Sequence, residues 1–570
     1  MIPEKKIRQA LWILIGISLV IRALLAGMLD LGNDEVYYWT YACYPDWSHF
    51  DHPPMVGWII QFFTLNLHFT DEFFLRLGAV IFGTINTWII YETGKKIKDP
   101  LTGLYAALLY SASFYCFIIA GTFIMPDTPQ SLFWLLSLYL LVSSLPDLEL
   151  SKKSRRNILL AGITIGLALL SKYHSVFLLS GAFLYILFFN RKWFRSKEIY
   201  LALLFVMILS FPVIYWNYQN NFISFSFHES RVEAGRNGIH WNYFGSEIGG
   251  QFLYNNPVNF ILIIFSFVAI IRGKKFLERK DLWVLLLISL PLSLVFIFVS
   301  LFNRTLPHWT GPAYLGFILI ASAWLSSWEK KKLIPWPAAT GVGVILILLI
   351  LGIGQIKFGF LPLEKWFKQD FSAQMYGWRQ TGEKFAQIAE KDKISKTYPS
   401  DAPILTFRWF PAANLDYYVG TPIGKKVYAL GTLNRIHKYY WIDKDRGNLR
   451  KGTSAYYLVS SDDFTSPKEA FGELFDTIVP SDTIQIMRRG EVIRKVYVFR
   501  LENLRREIRF NRINDFTEPP LERIRYWSNQ IRIHPDWYKN VQQKAIQQNH
   551  TLEDMIWNEA YWQARMEMLK

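Results

Sequence analysis

Residues 158–190 read ILLAGITIGLALLSKYHSVFLLSGAFLYILFFN, two apolar runs parted by Ser171-Lys172-Tyr173-His174. As one helix the stretch is about 50 Å long, well beyond the roughly 30 Å hydrocarbon core of a bilayer. As two short helices it is a hairpin with a lysine in its turn. The choice fixes the side of the membrane for everything downstream. Splitting predicts spans near 11–29, 73–92, 101–121, 128–146, 158–171, 174–190, 199–216, 257–271, 282–302, 311–328 and 335–356. With the N-terminus inside, the basic runs starting at Lys95, Lys152, Arg191, Arg272 and Lys330 all fall on the cytoplasmic side, as the positive-inside bias requires. Merging the hairpin puts the later runs outside.

Composition agrees with a membrane chain. Of 570 residues, 51% are hydrophobic, 17% aromatic and 19% charged, against about 25% charged in soluble domains. This excludes a disordered chain, a disulfide scaffold and a conventional soluble enzyme. Two cysteines, Cys43 and Cys116, make one bridge or two buried thiols. The net charge of +16 collects in the cytoplasmic loops, so it is a topology signal and no nucleic-acid partner is expected. Lys5, Lys6 and Arg8 before an apolar run suggest a signal peptide. Arg22 interrupts that run and no small-residue cleavage site follows, so it reads as the first span.

Three regions follow. Residues 1–356 form a polytopic α-helical membrane domain of about eleven transmembrane helices, with interfacial helices in the first outer loop. Residues 357–500 alternate helical stretches with β-rich runs at Pro403–Phe407, Lys426–Leu430, Ala455–Val459 and Val492–Phe499, which predicts a small α/β domain. Residues 501–570 are a charged, amphipathic helical tail. An odd number of spans places both C-terminal regions outside the cytoplasm. The protein is expected in the cell (inner) membrane.

The outer loops carry acids, histidines and aromatics. Asp34 and Glu35, in Asn33-Asp34-Glu35-Val36-Tyr37-Tyr38-Trp39, follow the first span and lie at the membrane interface. A carboxylate near low dielectric holds its proton more tightly, which suits a general base near neutral pH. The same residues also read as a helix N-terminus followed by an aromatic belt. Asp51 and His52 precede Pro53-Pro54 and form a candidate phosphate-binding or metal-ligating pair, with a divalent ion as the cofactor. Asp127 starts the fourth span, as an N-cap or as a second acid beside Asp34. Lys172, bracketed by apolar runs, needs an anion, a carbonyl or water, and a lipid-linked phosphate fits it. His228 and Arg231 are phosphate or metal candidates, and His308 is a further binding candidate.

Asn33–Trp39, Phe50-Asp51-His52-Pro53-Pro54-Met55, Met125-Pro126-Asp127-Thr128-Pro129, Leu170-Ser171-Lys172-Tyr173 and Pro307-His308-Trp309-Thr310-Gly311-Pro312-Ala313-Tyr314 resemble, in order, the protein-O-mannosyltransferase-like membrane glycosyltransferases of bacteria. The aminoarabinose transferases that modify lipid A belong to the same group. The resemblance covers about 1–320, and more loosely Asn414–Tyr418 to Leu430-Gly431. It implies a C-type glycosyltransferase fold with an extracytoplasmic site. It also implies transfer of a sugar, with inversion, from a polyprenyl-phosphate carrier to a lipid, protein or glycan acceptor. Asp34 matches the catalytic base, Asp127 the second acid near the acceptor, and Lys172 a lysine near the donor phosphate. Glu35 and Tyr37 fall in the motif that lines the substrate. Asp51 and His52 stand where aminoarabinose transferases carry Glu-Lys.

The rival reading is a transporter or flippase of a lipid-linked sugar. Such proteins show repeated halves and sites at the membrane midplane. Here the acids cluster in outer loops and no internal repeat is visible. A non-catalytic scaffold is the other rival, and convergence of Asp34, Asp127 and Lys172 on one cavity separates it from an enzyme.

Overall fold

The structure is a computed structural model that describes all residues except 1, 233–237, 364–369, 520, 549–550 and 569–570. It divides into two compact units, Met1–Tyr376 and Gly377–Lys570. The boundary lies about twenty residues beyond the expected one at 356/357, because the segment after the last apolar helix groups with the first unit.

The first unit is helical: α1 (Glu4–Met28), α2 (Asn33–Cys43), α3 (Met55–Phe63), α4 (Glu72–Ile97), α5 (Pro100–Ala112), α6 (Asp127–Val142), α7 (Lys152–Leu169), α8 (Val176–Phe189), α9 (Lys197–Gln219), α10 (Ile223–Val232), α11 (Trp241–Tyr254), α12 (Pro257–Ile271), α13 (Arg279–Val299), α14 (Gly311–Leu325) and α15 (Trp336–Phe358). A helix lies in each of the expected spans. Among the described residues five of them, α1, α4, α9, α13 and α15, are each long and apolar enough to cross a membrane alone.

Burial explains which helices stand where. All of α5 except Pro100 and all of α14 except Trp324 is buried, the mark of helices at the centre of a bundle. By contrast α9 exposes Met207, Ile208 and Phe211, and α15 exposes Ile347 and Ile350, apolar surfaces suited to lipid. Small residues let helices close: a Cβ on Gly94 of α4 would stand 2.8 Å from the Gly103 Cα of α5. The break at Lys172 is present, with α7 and α8 joined through a 3₁₀ turn at Tyr173–Ser175.

Two local departures matter. The expected span 101–121 is α5 followed by a π-turn at Tyr115–Ile119, which brings Tyr115 toward Asp127. The loop Asn217–Asn256 holds two further helices, α10 and α11, and α11 meets α12 at 104°. Residues 233–237 of that loop lie outside the described residues.

The second unit has helix α16 (Trp378–Ser395) and a five-stranded sheet of order β2-β1-β3-β5-β4. The strands are β1 (Ile404–Thr406), β2 (Val427–Ala429), β3 (Ala455–Ser460), β4 (Phe475–Arg488) and β5 (Glu491–Leu504). β1 is parallel to β2 and β3, while β5 is antiparallel to β3 and β4. Asp416, in the loosely matching segment Asn414–Tyr418, is buried and accepts from Arg446 at 2.6 Å and Tyr439 at 3.0 Å. That network holds the domain together. The tail helices Leu521–Ile533, Pro535–Gln548 and Leu552–Met568 pack on one another around Ile531, Val541, Ile556 and Ala560. Cys116 is a buried free thiol, and Cys43 is half-buried.

Candidate active site

The loop bearing Asp34 is fixed by its neighbour. Glu35 is buried and pairs with Arg76 of α4 through both oxygens: Arg76 Nε donates to Oε1 at 2.7 Å and Nη2 to Oε2 at 2.6 Å. The same guanidinium donates to the carbonyls of Ala26, Leu29 and Asp30. Glu35 also accepts from the backbone N–H of Gly32 and of Ile124. A buried ion pair is tolerable when every donor and lone pair is engaged, and here the result is a joint. It ties the end of α1, the start of α2, α4 and the approach to Asp127. Both Glu35 oxygens, expected at the substrate, are thereby engaged by the protein. Tyr37 is likewise buried, and its hydroxyl donates to Asp51 Oδ1 at 2.8 Å, an oxygen that Tyr41 also reaches.

Asp34 itself is exposed, and the charges of Asp51, Glu35, Asp127 and Lys172 act on it. Lost hydration, then the negative charges of Asp51, Glu35 and Asp127, push its pKa up to about 6, against a smaller pull from Lys172. Lys172 Nζ donates to Asp127 Oδ2 at 2.8 Å, with both side chains buried. The Tyr115 hydroxyl donates to the other Asp127 oxygen at 3.1 Å. The turn after α7 therefore delivers its lysine to the second acid.

Basic groups lie in the same neighbourhood. Arg231 of α10 stacks on Trp309 at 4.8 Å and Phe227 at 5.4 Å, and among the described residues no carboxylate pairs with it. His228 Nε2 meets the Asp51 carbonyl at 2.8 Å, and its ring lies 6.2 Å from that of His52. Burial, then the positive charge of Lys172, lowers the proton affinity of His52 and His174. His308, in the turn Pro307–Thr310, is brought down to about 4 by burial and then Lys172. A carboxylate with raised proton affinity, Asp34, thus lies in the same neighbourhood as the cations Lys172 and Arg231.

A metal fits poorly. Among the described residues no group of three or more His, Cys, Asp or Glu side chains is placed to hold an ion. Asp51, expected as a ligand beside His52, has its Oδ1 engaged by two tyrosine hydroxyls.

The expected residues Asp34, Asp51, His52, Asp127, Lys172, His228, Arg231 and His308 thus share one neighbourhood. Arg76 and His174 belong to it as well and were not singled out from the sequence. An arginine in the first turn of an apolar span was the available signal for Arg76, since such a charge must find partners.

A family model described as dolichyl-phosphate-mannose-protein mannosyltransferase matches residues 51–216. The lipid A galacturonosyltransferase RgtD of Rhizobium johnstonii is 22% identical over 339 residues, 58% of this chain and 65% of that protein. Crystal structures of ArnT from Cupriavidus metallidurans align over 86% of this chain and 97% of theirs. Their TM-scores are 0.54 for the apo state and 0.55 with undecaprenyl phosphate bound, at 14% and 15% identity. The family model thus covers a part of the membrane unit, and the likeness to ArnT is one of fold. The fold, a multi-pass membrane bundle followed by a C-terminal domain, is the one the ArnT structures share. An uncharacterised protein of Aquifex aeolicus is 25% identical over 288 residues. The matches span 65% and 54% of the lengths of these two curated relatives.

Proposed function

We propose that the chain transfers a sugar from a polyprenyl-phosphate carrier to an acceptor outside the cytoplasm, with lipid A as the first acceptor to examine. The observation that carries this reading is the gathering of Asp34, the buried Lys172–Asp127 pair and Arg231 in one neighbourhood. Nucleotide sugars are confined to the cytoplasm, so an external transferase takes its donor from the membrane. The basic loops support a topology in which the N-terminus is cytoplasmic and the site and second unit face outward.

In this mechanism Asp34 accepts the acceptor's hydroxyl proton as the oxygen attacks the anomeric carbon. The carrier phosphate departs from the opposite face, which inverts the configuration. Arg231 and Lys172 stabilise the charge that develops on it. Asp127 orients Lys172 and acts electrostatically on Asp34. The donor set favours direct cationic contacts to the phosphate over an ion held by Asp51 and His52. Similarity to RgtD supports a lipid acceptor, and the binding of undecaprenyl phosphate by a protein of the same fold supports a polyprenyl carrier.

The test compares lipid A, surface glycans and polyprenyl lipids by mass spectrometry in the native strain, a deletion, and the deletion carrying Asp34→Asn. Loss of one sugar mass from an acceptor in both mutants, with build-up of the sugar carrier, is expected. An unchanged glycan profile in the deletion, in cells that normally make the protein, contradicts the proposal.

A further inference from the structure

This inference rests on the transfer reading above. His52, His174, His228 and His308 cluster beside Lys172 and Arg231, and the transfer as written uses none of them. His174 sits in the 3₁₀ turn between α7 and α8, its ring 4.8 Å from Phe296 and 6.1 Å from Trp309. Its buried Nδ1 has no hydrogen-bond partner. His308 precedes Trp309, on which Arg231 stacks, in its own turn, and lies close enough to act electrostatically on His174. The buried His52 Nδ1 also lacks a partner, whereas His228 is spoken for by the Asp51 carbonyl. The charged and titratable groups facing His174 and His308 are Lys172 from the turn after α7, Asp127 from α6, and His228 and Arg231 from α10.

In the transfer a bond forms between the acceptor oxygen and the anomeric carbon. The bond from that carbon to the phosphate oxygen breaks and leaves its electron pair on the phosphate. A phosphodiester with one negative charge so becomes a phosphomonoester with a second ionisable oxygen, of pKa about 6. The acceptor's proton goes to Asp34 and from there to solvent. Lys172 is shared with Asp127 and so answers the phosphate only in part, and Arg231 answers one charge. Nothing else among the described members of this cluster is permanently positive.

We propose that His174 and His308 contact the departing phosphate and take up a proton from solvent as its second charge develops, so that the product is held by an imidazolium. The proton released through Asp34 balances the one taken up. Burial and nearby cations hold both rings neutral. A dianion entering beside them reverses the sign of the field they experience.

The test uses the full chain in detergent and farnesyl phosphate as probe, with farnesol as control. Calorimetric titration at slightly alkaline pH, in two buffers of different ionisation heat, reads the protons exchanged on binding. The native protein is expected to take up roughly half to one proton per ligand, as a histidine does when its pKa crosses the working pH. The His174→Gln/His308→Gln variant is expected to take up none and to bind about tenfold more weakly, with an unchanged unfolding temperature showing that it is folded. Each single variant is expected to lose part of the uptake. Uptake that persists in the double variant, or is absent from a native protein that binds the phosphate, overturns the proposal and leaves the transfer reading standing. Native protein that binds farnesyl phosphate no better than farnesol overturns both.

Discussion

Replacing Arg76 by methionine removes a guanidinium that donates five hydrogen bonds within the first unit, two to Glu35 and three to the carbonyls of Ala26, Leu29 and Asp30. Glu35 then stays buried with its charge unanswered. Breaking a buried pair from one side costs about 3–5 kcal/mol, a large fraction of a typical stability of about 5–15 kcal/mol. The rate should suffer separately. Asp34 adjoins Glu35, and a displacement of about 1 Å at a catalytic group can lower turnover roughly 100-fold. Adding Glu35→Met to Arg76→Met should restore most of the stability, since an apolar pair of similar volume is often as stable as a buried ion pair. It should not restore the rate, because Gly32 and Ile124 have lost the acceptor that fixes the loop. The assays are unfolding of the detergent-solubilised protein and sugar transfer at saturating donor. A single variant within about 1 kcal/mol of native that turns over normally would refute the joint.

Three further outcomes follow from the site. The base works deprotonated, so transfer should rise about tenfold per pH unit below about 6 and level off above it; Asp51→Asn, by removing a neighbouring negative charge, should move that limb to lower pH in a pH–rate profile. Lys172→Met strands the buried Asp127 and should destabilise by about 3–5 kcal/mol, while Lys172→Met with Asp127→Asn should recover the stability and remain inactive, as read by unfolding and transfer side by side. Arg231→Ala should raise the KM for the lipid-linked donor about tenfold or more, with Arg231→Lys recovering only part, because an ammonium does not reproduce the planar stacking on Trp309.

The chemistry was legible wherever a charge interrupted an apolar run. Lys172 between two short spans fixed the break and pointed to an anion, and its partner proved to be Asp127, 45 residues away in sequence. Asp34 was legible from its place just past the first span. The pairing of Glu35 was not, because its partner Arg76 lies 41 residues further along the chain. In the second unit, β1, β2, β3 and β5 lie where β-rich runs predicted them. β4 was missed because Pro480, Ser481 and Asp482 break its pattern. It is the edge strand, its register shifts at Pro480/Asp482, and proline is tolerated in a sheet at such places. The helix α11 was hidden because its stabilising contacts are distant: Glu247 accepts from Thr305 at 2.6 Å, and Gln251 donates to the Pro307 carbonyl at 2.8 Å.

Asp34 offers the most direct test. Its folded pKa lies above the unfolded value of about 3.9, so the ionised carboxyl disfavours the fold above about pH 6. Asp34→Asn should therefore be at least as stable as the native protein at neutral pH, and loss of activity cannot be put down to misfolding. The measurement is sugar transfer in proteoliposomes from a polyprenyl-phosphate sugar to lipid A, with donor binding followed in parallel. The account predicts that Asp34→Asn binds donor like the native protein and transfers nothing above background. Undiminished transfer by that variant contradicts it.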